Sequence, residues 1–526
     1  MNRSIGLSKL EMGVCYHPEH WDSAMWPEDL QRMLASGIGT VRIAEFAWSC
    51  FEPTEGCFTF ELFDRFMALC EQTGMKVIFC TPTATPPAWL TRRYPEVLNV
   101  DYDGHQHHHG LRRQYNYNAE AYREKTRVIV EKLGEHYGRH QMIVGWQLDN
   151  ELNNATAEFY SEADQAAFRI YLKQKYQTLD ALNAAWGARF WNQTYADWAE
   201  VTLPAYNFRH ASNPHQKLDS IRFFAWSVHR YTKLQHDALR RFVPADRYIT
   251  TNGMFPHMDY DQILQDGALD FLMFDSYPAS GLSTVRFTEK ECPLRDRMWS
   301  QKLAKVRAIS PCFGVMEQQS GPGGWSCFAG VPTPRPGQIR LWTMQSIAHG
   351  ADYISYFRWR TCTFGTEIYW HGILGYDNRD NARLAEVRRT REDMRRIEDV
   401  AGGRYVARVA ILRDYDNEWD GEHDQWHGQL RGPSDVGLYT ACQRLHLPCD
   451  YVNLDADETS DELLAGYSLL IYPHATLLAP RMAERLENYV RRGGTLVTGA
   501  RSCYKDKHGH CLTEPMPGPL RNLLAM

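Results

Sequence analysis

The sequence contains no run of about 18 apolar residues, so nothing in it reads as a membrane-spanning helix and no membrane partner is expected. Its opening, MNRSIGLSKLEMGVCYHP, lacks the apolar stretch of a secretory signal. It lacks a CxxC pair; its 13 cysteines are scattered, many inside apolar runs such as MGVCYH, VIFCTP and PCFGVM, which predicts reduced, buried thiols and a cytoplasmic location. It lacks a basic excess: 58 Lys and Arg against 64 Asp and Glu leave a net charge of −6, so nucleic acid is excluded as an expected partner. Aromatic residues, in contrast, are plentiful. They make up 13% of the chain, with 16 Trp and 28 Tyr, as suits either a large core or a cleft that stacks flat apolar faces. At 526 residues the chain is too long for one ordinary domain.

The first 400 residues alternate between short apolar runs and longer amphipathic segments. The strand-like runs lie at 12–18, 40–46, 76–83, 143–151, 247–252, 269–278, 312–319 and 351–359. Helix-like segments such as 26–37, 61–74 and 120–138 fall between them, and each closes on a glycine suited to a C-terminal cap. Eight strand–helix units in series predict an α/β fold, a closed (β/α)8 TIM barrel over residues 1–400. An open doubly wound sheet would show a glycine-rich phosphate turn after its first strand, where this chain has HPEHW. From 404 to 526 the pattern changes to four shorter strand-like runs (YVARVAIL, CDYVN, YSLLIYPHATLL, GGTLVTGA) and the helix-like RMAERLENYVRRG, which predicts a smaller open-sheet α/β domain. The chain stops at GPLRNLLAM, inside what reads as an unfinished unit.

In a barrel of this kind the functional side chains stand where the strands end. The stretch IVGWQLDNELNN (143–154) runs from an apolar strand into Asp149, Asn150 and Glu151, and burying unpaired carboxylates is costly, so the acids are expected to mark the point of emergence. The other runs deliver Tyr16, His17 and Glu19; Arg42 and Glu45; Asp275 and Tyr277; Glu317, Gln318 and Gln319; and Arg358, Trp359 and Arg360. Glu151 after the fourth strand and Glu317 in the seventh face each other across the mouth. Two carboxylates with abundant aromatics and no cluster of metal ligands fit glycoside hydrolysis. A lone glutamate at a strand end is as readily an ion pair as a catalyst; the pairing is what favours chemistry. An aldolase or isomerase would want a Schiff-base lysine or a ligand set at the strand ends, and neither is there. A carbohydrate-binding protein without turnover is the remaining alternative.

The motifs GVCYHPEHW, VRIAEFAWS, WQLDNE, FDSYP, MEQQSGPGGW, PRPGQIRLW, AHGADYISYFRWR and GGTLVTGARS resemble those of the glycoside hydrolase family 42 β-galactosidases, over essentially the whole chain from residue 12. The resemblance implies a retaining exo-glycosidase that releases terminal β-D-galactose from galactoside oligosaccharides, with Glu151 as general acid/base and Glu317 as nucleophile. On that reading Asn150 bonds the sugar 2-hydroxyl, Tyr277 holds the nucleophile, and Trp325 offers a stacking face, while Arg42 either lowers the pKa of a carboxylate or binds a hydroxyl, with a salt bridge to Glu45 or another barrel acid as the alternative. No cofactor is implied. The second domain resembles the family's trimerisation domain, with the fold of class I glutamine amidotransferases, and so implies a homotrimer. Its elbow region, LLIYPHATLL, has no nucleophilic cysteine, so a structural role is expected.

Three departures from the family pattern stand out. The four-cysteine zinc site of some members is missing: ELNNATAEFY follows the acid/base and Asn116 stands at an earlier ligand position, so no metal is expected, and the histidines of HQHHHG (105–110) read as a solvated loop. In TEIYWHG, Glu367 is followed by Trp370 at the spacing usually held by a histidine, with His371 one residue later. An indole there would narrow the pocket at C6 and raise α-L-arabinopyranosides or β-D-fucosides as alternative substrates. The family's small C-terminal β-domain is also missing, which implies either a short variant or a truncated chain whose second domain is itself cut short.

Overall fold

The computed structural model describes residues 4–206, 212–279, 295–456 and 459–524. Eight parallel strands close into a barrel: β1 (Glu11–Cys15), β2 (Thr40–Ile43), β3 (Lys76–Cys80), β4 (Ile143–Gln147), β5 (Tyr248–Thr251), β6 (Phe271–Ser276), β7 (Phe313–Gln319) and β10 (Ala351–Phe357), with β10 seated between β7 and β1. An antiparallel hairpin, β8 (Gly323–Trp325) with β9 (Phe328–Val331), is inserted after β7. Each expected strand is found, and each begins within two residues of its expected start. Several end early. The 40–46 run leaves the ladder after Ile43 because Ala44 takes a left-handed φ of 78°, and the 143–151 run leaves after Gln147, ahead of left-handed Asp149 (φ 57°) and Glu151 (φ 47°).

The helices cover the barrel through one apolar face each. Helix Glu61–Thr73 buries Phe63, Phe66, Met67 and Cys70, an i, i+3, i+4, i+7 set, and ends on left-handed Gly74. Helix Glu120–Tyr137 departs from the expected glycine stop. Gly138 keeps a right-handed φ of −55°, and its N–H still bonds the Gly134 carbonyl at 2.9 Å, so here the glycine extends the last turn.

The barrel lumen is filled at its N-terminal end. Ile78, Phe271, Met273, Met316 and Tyr353, from four different strands, pack into one buried cluster, with Tyr248, Ile5 and Leu7 against it. The tyrosines fit because their neighbours are glycines: a Cβ at Gly13 would lie 2.0 Å from the Tyr353 hydroxyl, and one at Gly145 2.0 Å from the Tyr248 ring. With that end plugged, polar side chains are left to the C-terminal mouth.

The second sheet is also parallel, in the order β12 (Cys449–Asn453), β11 (Val409–Arg413), β13 (Leu469–Tyr472), β14 (Thr495–Thr498). Helix Pro480–Arg491 packs on it through Met482, Ala483, Leu486 and Tyr489. The sheet is fastened to the barrel by helix Ser300–Ile309, where Arg307 pairs with Asp450 (2.8 Å), Lys305 pairs with Asp435 (2.7 Å) and Gln301 donates to the Tyr451 hydroxyl (2.8 Å). The turn after β13 carries His474, which bonds Ser434 at 2.8 Å and the Ala500 carbonyl at 2.6 Å; the adjoining cavity, about 30 Å³, is far too small for a substrate. The described cysteines are all free, and Cys15, Cys70, Cys80, Cys362, Cys442, Cys449 and Cys503 are buried; Cys292 lies outside the described residues.

Candidate active site

The loop after β4 carries the first carboxylates. Both acids are buried there, Asp149 at 0% exposure and Glu151 at 7%, so they do not mark an emergence into solvent. Two consecutive arginines from the preceding loop make this burial tolerable. Arg113 pairs with Asp149 at 2.7 Å, and Arg112 pairs with Glu151 at 2.9 Å. Asp149 also accepts from Thr83 at 2.6 Å. It is thereby fully engaged in holding the loop. Glu151 accepts from Asn154 Nδ2 at 2.6 Å and lies 3.5 Å from Asn150 Nδ2, while its backbone N–H donates to Asn252 Oδ1 at 2.9 Å.

Across the mouth, Glu317 is gripped from two sides. Tyr277 donates its hydroxyl to Oε2 at 2.6 Å, and Arg42 Nη2 donates to Oε1 at 2.7 Å. Arg42 is itself fixed, with Nη2 donating to Glu45 Oε1 at 2.8 Å and Nη1 to Gln147 Oε1 at 3.2 Å. The salt bridge to Glu45 and the contact with Glu317 therefore coexist. Beyond Glu45 stands His17, its Nε2 2.9 Å from Glu45 Oε1. Burial acts to raise the Glu45 carboxyl, but Arg42 and His17 outweigh it and hold it at about 2. His17 is raised by Glu45 in spite of its own burial. Burial and the neighbouring Glu151 raise Glu317, against the pull of Arg42 and Tyr277.

One carboxylate oxygen from each of Glu151, Asp275 and Glu317 lies within 4.8 Å of the others. Such a triple offers oxygen ligands to a cation, but guanidinium groups already stand against two of its members, which opposes one. Asn116 is occupied structurally: its Oδ1 accepts the N–H of Asn118 (3.2 Å) and of Ala119 (2.7 Å) at the start of helix Glu120–Tyr137. His105, His108 and His109 are exposed.

A cavity of about 600 Å³ opens beside the carboxylates, lined by His17, Trp89, Arg112, Trp325, Arg358 and Glu367 among others. Trp325 Nε1 donates to Glu367 Oε1 at 3.2 Å, and the Arg112 guanidinium sits 5.6 Å over the Trp325 ring. Trp370 stands edge-on to Tyr277, ring centroids 5.2 Å apart, and near Phe357 at 6.4 Å. The ring of His371 packs edge-on against Tyr376 at 4.9 Å.

Arg42, Asn150, Glu151, Tyr277 and Glu317 thus join one hydrogen-bonded network, Trp325 and Glu367 line the adjoining cavity, and Trp370 touches the network through Tyr277. Sequence reasoning gave no role to three further members. Asn252 follows β5, and its side chain joins Asn150 (3.0 Å), Asp275 (2.8 Å) and Glu317 (3.3 Å). The signal was present, since RYITTN ends on an amide as the fourth run ends on Asn150. Asp275 was visible at a strand end but was given no task. Arg112 comes from a loop with no periodic pattern to flag it.

Two family models match the chain: one described as β-galactosidase, of glycoside hydrolase family 42, over residues 15–397, and one described as β-galactosidase trimerisation domain over 407–526. A β-galactosidase of Thermus sp. is 37% identical over 530 residues, an alignment covering 98% of this chain and 79% of that protein. A β-galactosidase of Halorubrum lacusprofundi is 35% identical, covering 98% and 73%. The crystal structure of a β-galactosidase from the psychrophilic Marinomonas ef1 superimposes with a TM-score of 0.89 at 34% identity, covering 98% of this chain and 79% of that one.

Proposed function

The chain belongs to glycoside hydrolase family 42 and hydrolyses β-galactosides, and from that premise we propose that it is an exo-acting, retaining enzyme with Glu317 as nucleophile and Glu151 as general acid/base. The observation that carries this reading is the spacing. Carboxylate oxygens of the two residues lie within 4.8 Å, where a retaining pair has its carboxyls about 5–5.5 Å apart and an inverting pair about 6.5–9.5 Å. Glu317 attacks the anomeric carbon while Glu151 gives its proton to the departing glycosidic oxygen. The carbon–oxygen bond to the leaving group breaks and an ester to Glu317 forms. Glu151, now a carboxylate, takes a proton from water, whose oxygen displaces Glu317 and restores the configuration. Tyr277 and Arg42 aim the nucleophile, Asn150 bonds the 2-hydroxyl, and the face of Trp325 receives the sugar. The aromatic wall of Tyr277, Phe357 and Trp370 supports exo action, because it limits the reach of a chain beyond its terminal sugar.

Trp370 also favours a second reading of the sugar preference. Its indole stands against the tyrosine that holds the nucleophile, close to the reacting sugar, and with Glu367 it would restrict room at C6. His371 remains the rival hydrogen-bonding group of that loop. A panel of p-nitrophenyl β-galactoside, α-L-arabinopyranoside, β-D-fucoside and β-glucoside tests both points. We expect turnover of the galactoside with β-galactose as the first product in NMR; α-galactose as first product would refute retention. Trp370→His and Trp370→Ala are expected to shift the galactoside-to-arabinopyranoside ratio of kcat/KM toward galactoside by about 10- to 100-fold, the range of methylene-sized discrimination. An unchanged ratio would make Trp370 a packing residue only.

The match of residues 407–526 to a trimerisation domain supports a homotrimer. Sedimentation equilibrium should give a mass of three chains, and a monomer mass would overturn this. The free, largely buried cysteines support a cytoplasmic location, which fractionation of the producing cell tests. Among the described residues, no helix is long and apolar enough to cross a membrane.

A further inference from the structure

Three carboxyls, those of Glu151, Asp275 and Glu317, converge at the mouth, but among the described residues only two of them have a paired cation. Arg42 serves Glu317 at 2.7 Å and Arg112 serves Glu151 at 2.9 Å. Asp275 is 7% exposed, and among the described residues one donor reaches it, the side-chain amide of Asn252 at 2.8 Å on Oδ2. Its Oδ1 is buried without a donor. The groups facing it are Glu151 beyond β4, Glu317 on β7, Arg42 on β2, Asn252 and Gly253 after β5, Tyr260 on helix Tyr260–Gln265, and Tyr277 on its own segment. No lysine or histidine is among these described residues. The Asp275 and Glu151 carboxyls are near enough to hydrogen-bond once a proton lies between them, whereas two ionised carboxylates there would repel.

We propose that Asp275 is a positioning residue that holds one proton in common with Glu151, so that the two carboxyls act as a single acid. The proposal rests on Glu151 being the general acid/base. The arrangement conserves charge through the cycle. In the resting site the three carboxyls hold two negative charges, one on Glu317 and one on the Glu151–Asp275 pair. During glycosylation the shared proton passes to Glu151, whose hydroxyl turns to the leaving oxygen and gives it up. The pair then carries both charges while Glu317, now an ester, carries none. Water attack returns one proton to the pair and the charge to Glu317. Burial raises the Asp275 carboxyl well above the ordinary range, and Glu317 and Glu151 add to it while Arg42 opposes, in keeping with a bound proton.

Asp275→Asn keeps the shape of the side chain but cannot take up or release the proton, and its amide donates permanently to Glu151. Hydrogen bonding to the charged form favours that form, so Glu151 loses its proton at lower pH. The alkaline limb of kcat/KM should therefore move about one pH unit or more toward acid, as for a strongly coupled pair reduced to a single group. At pH 8, substrates with poor leaving groups should lose at least about tenfold more than dinitrophenyl galactoside, which needs little protonation. A limb at the wild-type position, with unchanged leaving-group dependence, would overturn the proposal. The wild-type enzyme supplies an independent reading should the variant misfold. With 13C-labelled aspartate carboxyls, one resonance should remain in the protonated position above about pH 8, far beyond an ordinary aspartate; no such resonance would equally overturn it. Glu151→Gly assayed in parallel separates the two readings. If azide fails to rescue that variant, the acid/base assignment itself has failed. If azide rescues it while Asp275→Asn behaves as wild type, only the shared proton is refuted.

Discussion

Glu317→Gly is expected to lose about 10⁵-fold in kcat/KM on aryl β-galactosides, the scale seen when a covalent nucleophile is deleted. The loss is large because Arg42, Tyr277 and Asn252 all direct donors at this carboxylate. Arg42 and Tyr277 hold its two oxygens at 2.7 and 2.6 Å, and with the carboxylate gone they aim at nothing. The glycine also leaves space on the face from which Glu317 attacked. Azide supplied to the variant should enter there and give α-galactosyl azide, the inverted product. Recovery of β-galactosyl azide from this variant would show that some other group still forms the intermediate, and the nucleophile would have to be sought elsewhere.

Glu151→Gly should behave differently in kind. On substrates with poor leaving groups the loss is about 10²- to 10⁴-fold, the range attributed to general acid catalysis. On dinitrophenyl galactoside the glycosylation step survives, the ester on Glu317 accumulates, and a burst should precede a slow steady state with a lowered KM. Azide should intercept that ester and give β-galactosyl azide. An equal loss across leaving groups would mean that Glu151 acts in binding and does not deliver a proton. The neighbourhood sharpens this test, since Arg112 at 2.9 Å and Asn154 at 2.6 Å fix the orientation of the Glu151 carboxyl.

The barrel was legible because its signal is long-range and repeated. Eight apolar runs separated by helices leave little alternative to closure, and each run begins within two residues of its expected start. The strand ends were less legible. Asp149, Glu151 and Ala44 adopt left-handed φ without being glycine, so no residue type announced the turn. The same limit applied to the acids of IVGWQLDNELNN. The sequence shows two carboxylates but not that LRR, some forty residues earlier, sends one arginine to each. The two glutamates could be paired from their strand numbers alone. Asn252, Asp275 and Arg112 could not, since their roles depend on which neighbours converge at the mouth, and that is a property of the closed barrel and its loops.

Asn252 has a consequence of its own. Its side-chain nitrogen carries two hydrogens but lies within reach of three oxygens, on Asn150, Asp275 and Glu317. One acceptor must therefore always go without. On the proposed mechanism Glu317 becomes an ester, its oxygens become poorer acceptors, and the two hydrogens would settle on Asn150 and Asp275. Those are the partners that would then need them, Asn150 to hold the 2-hydroxyl and Asp275 because it would have just become charged. When the ester is cleaved the distribution reverts. On that mechanism a single amide with fewer hydrogens than acceptors would keep time with the reaction: its orientation would encode whether the sugar is attached to the protein.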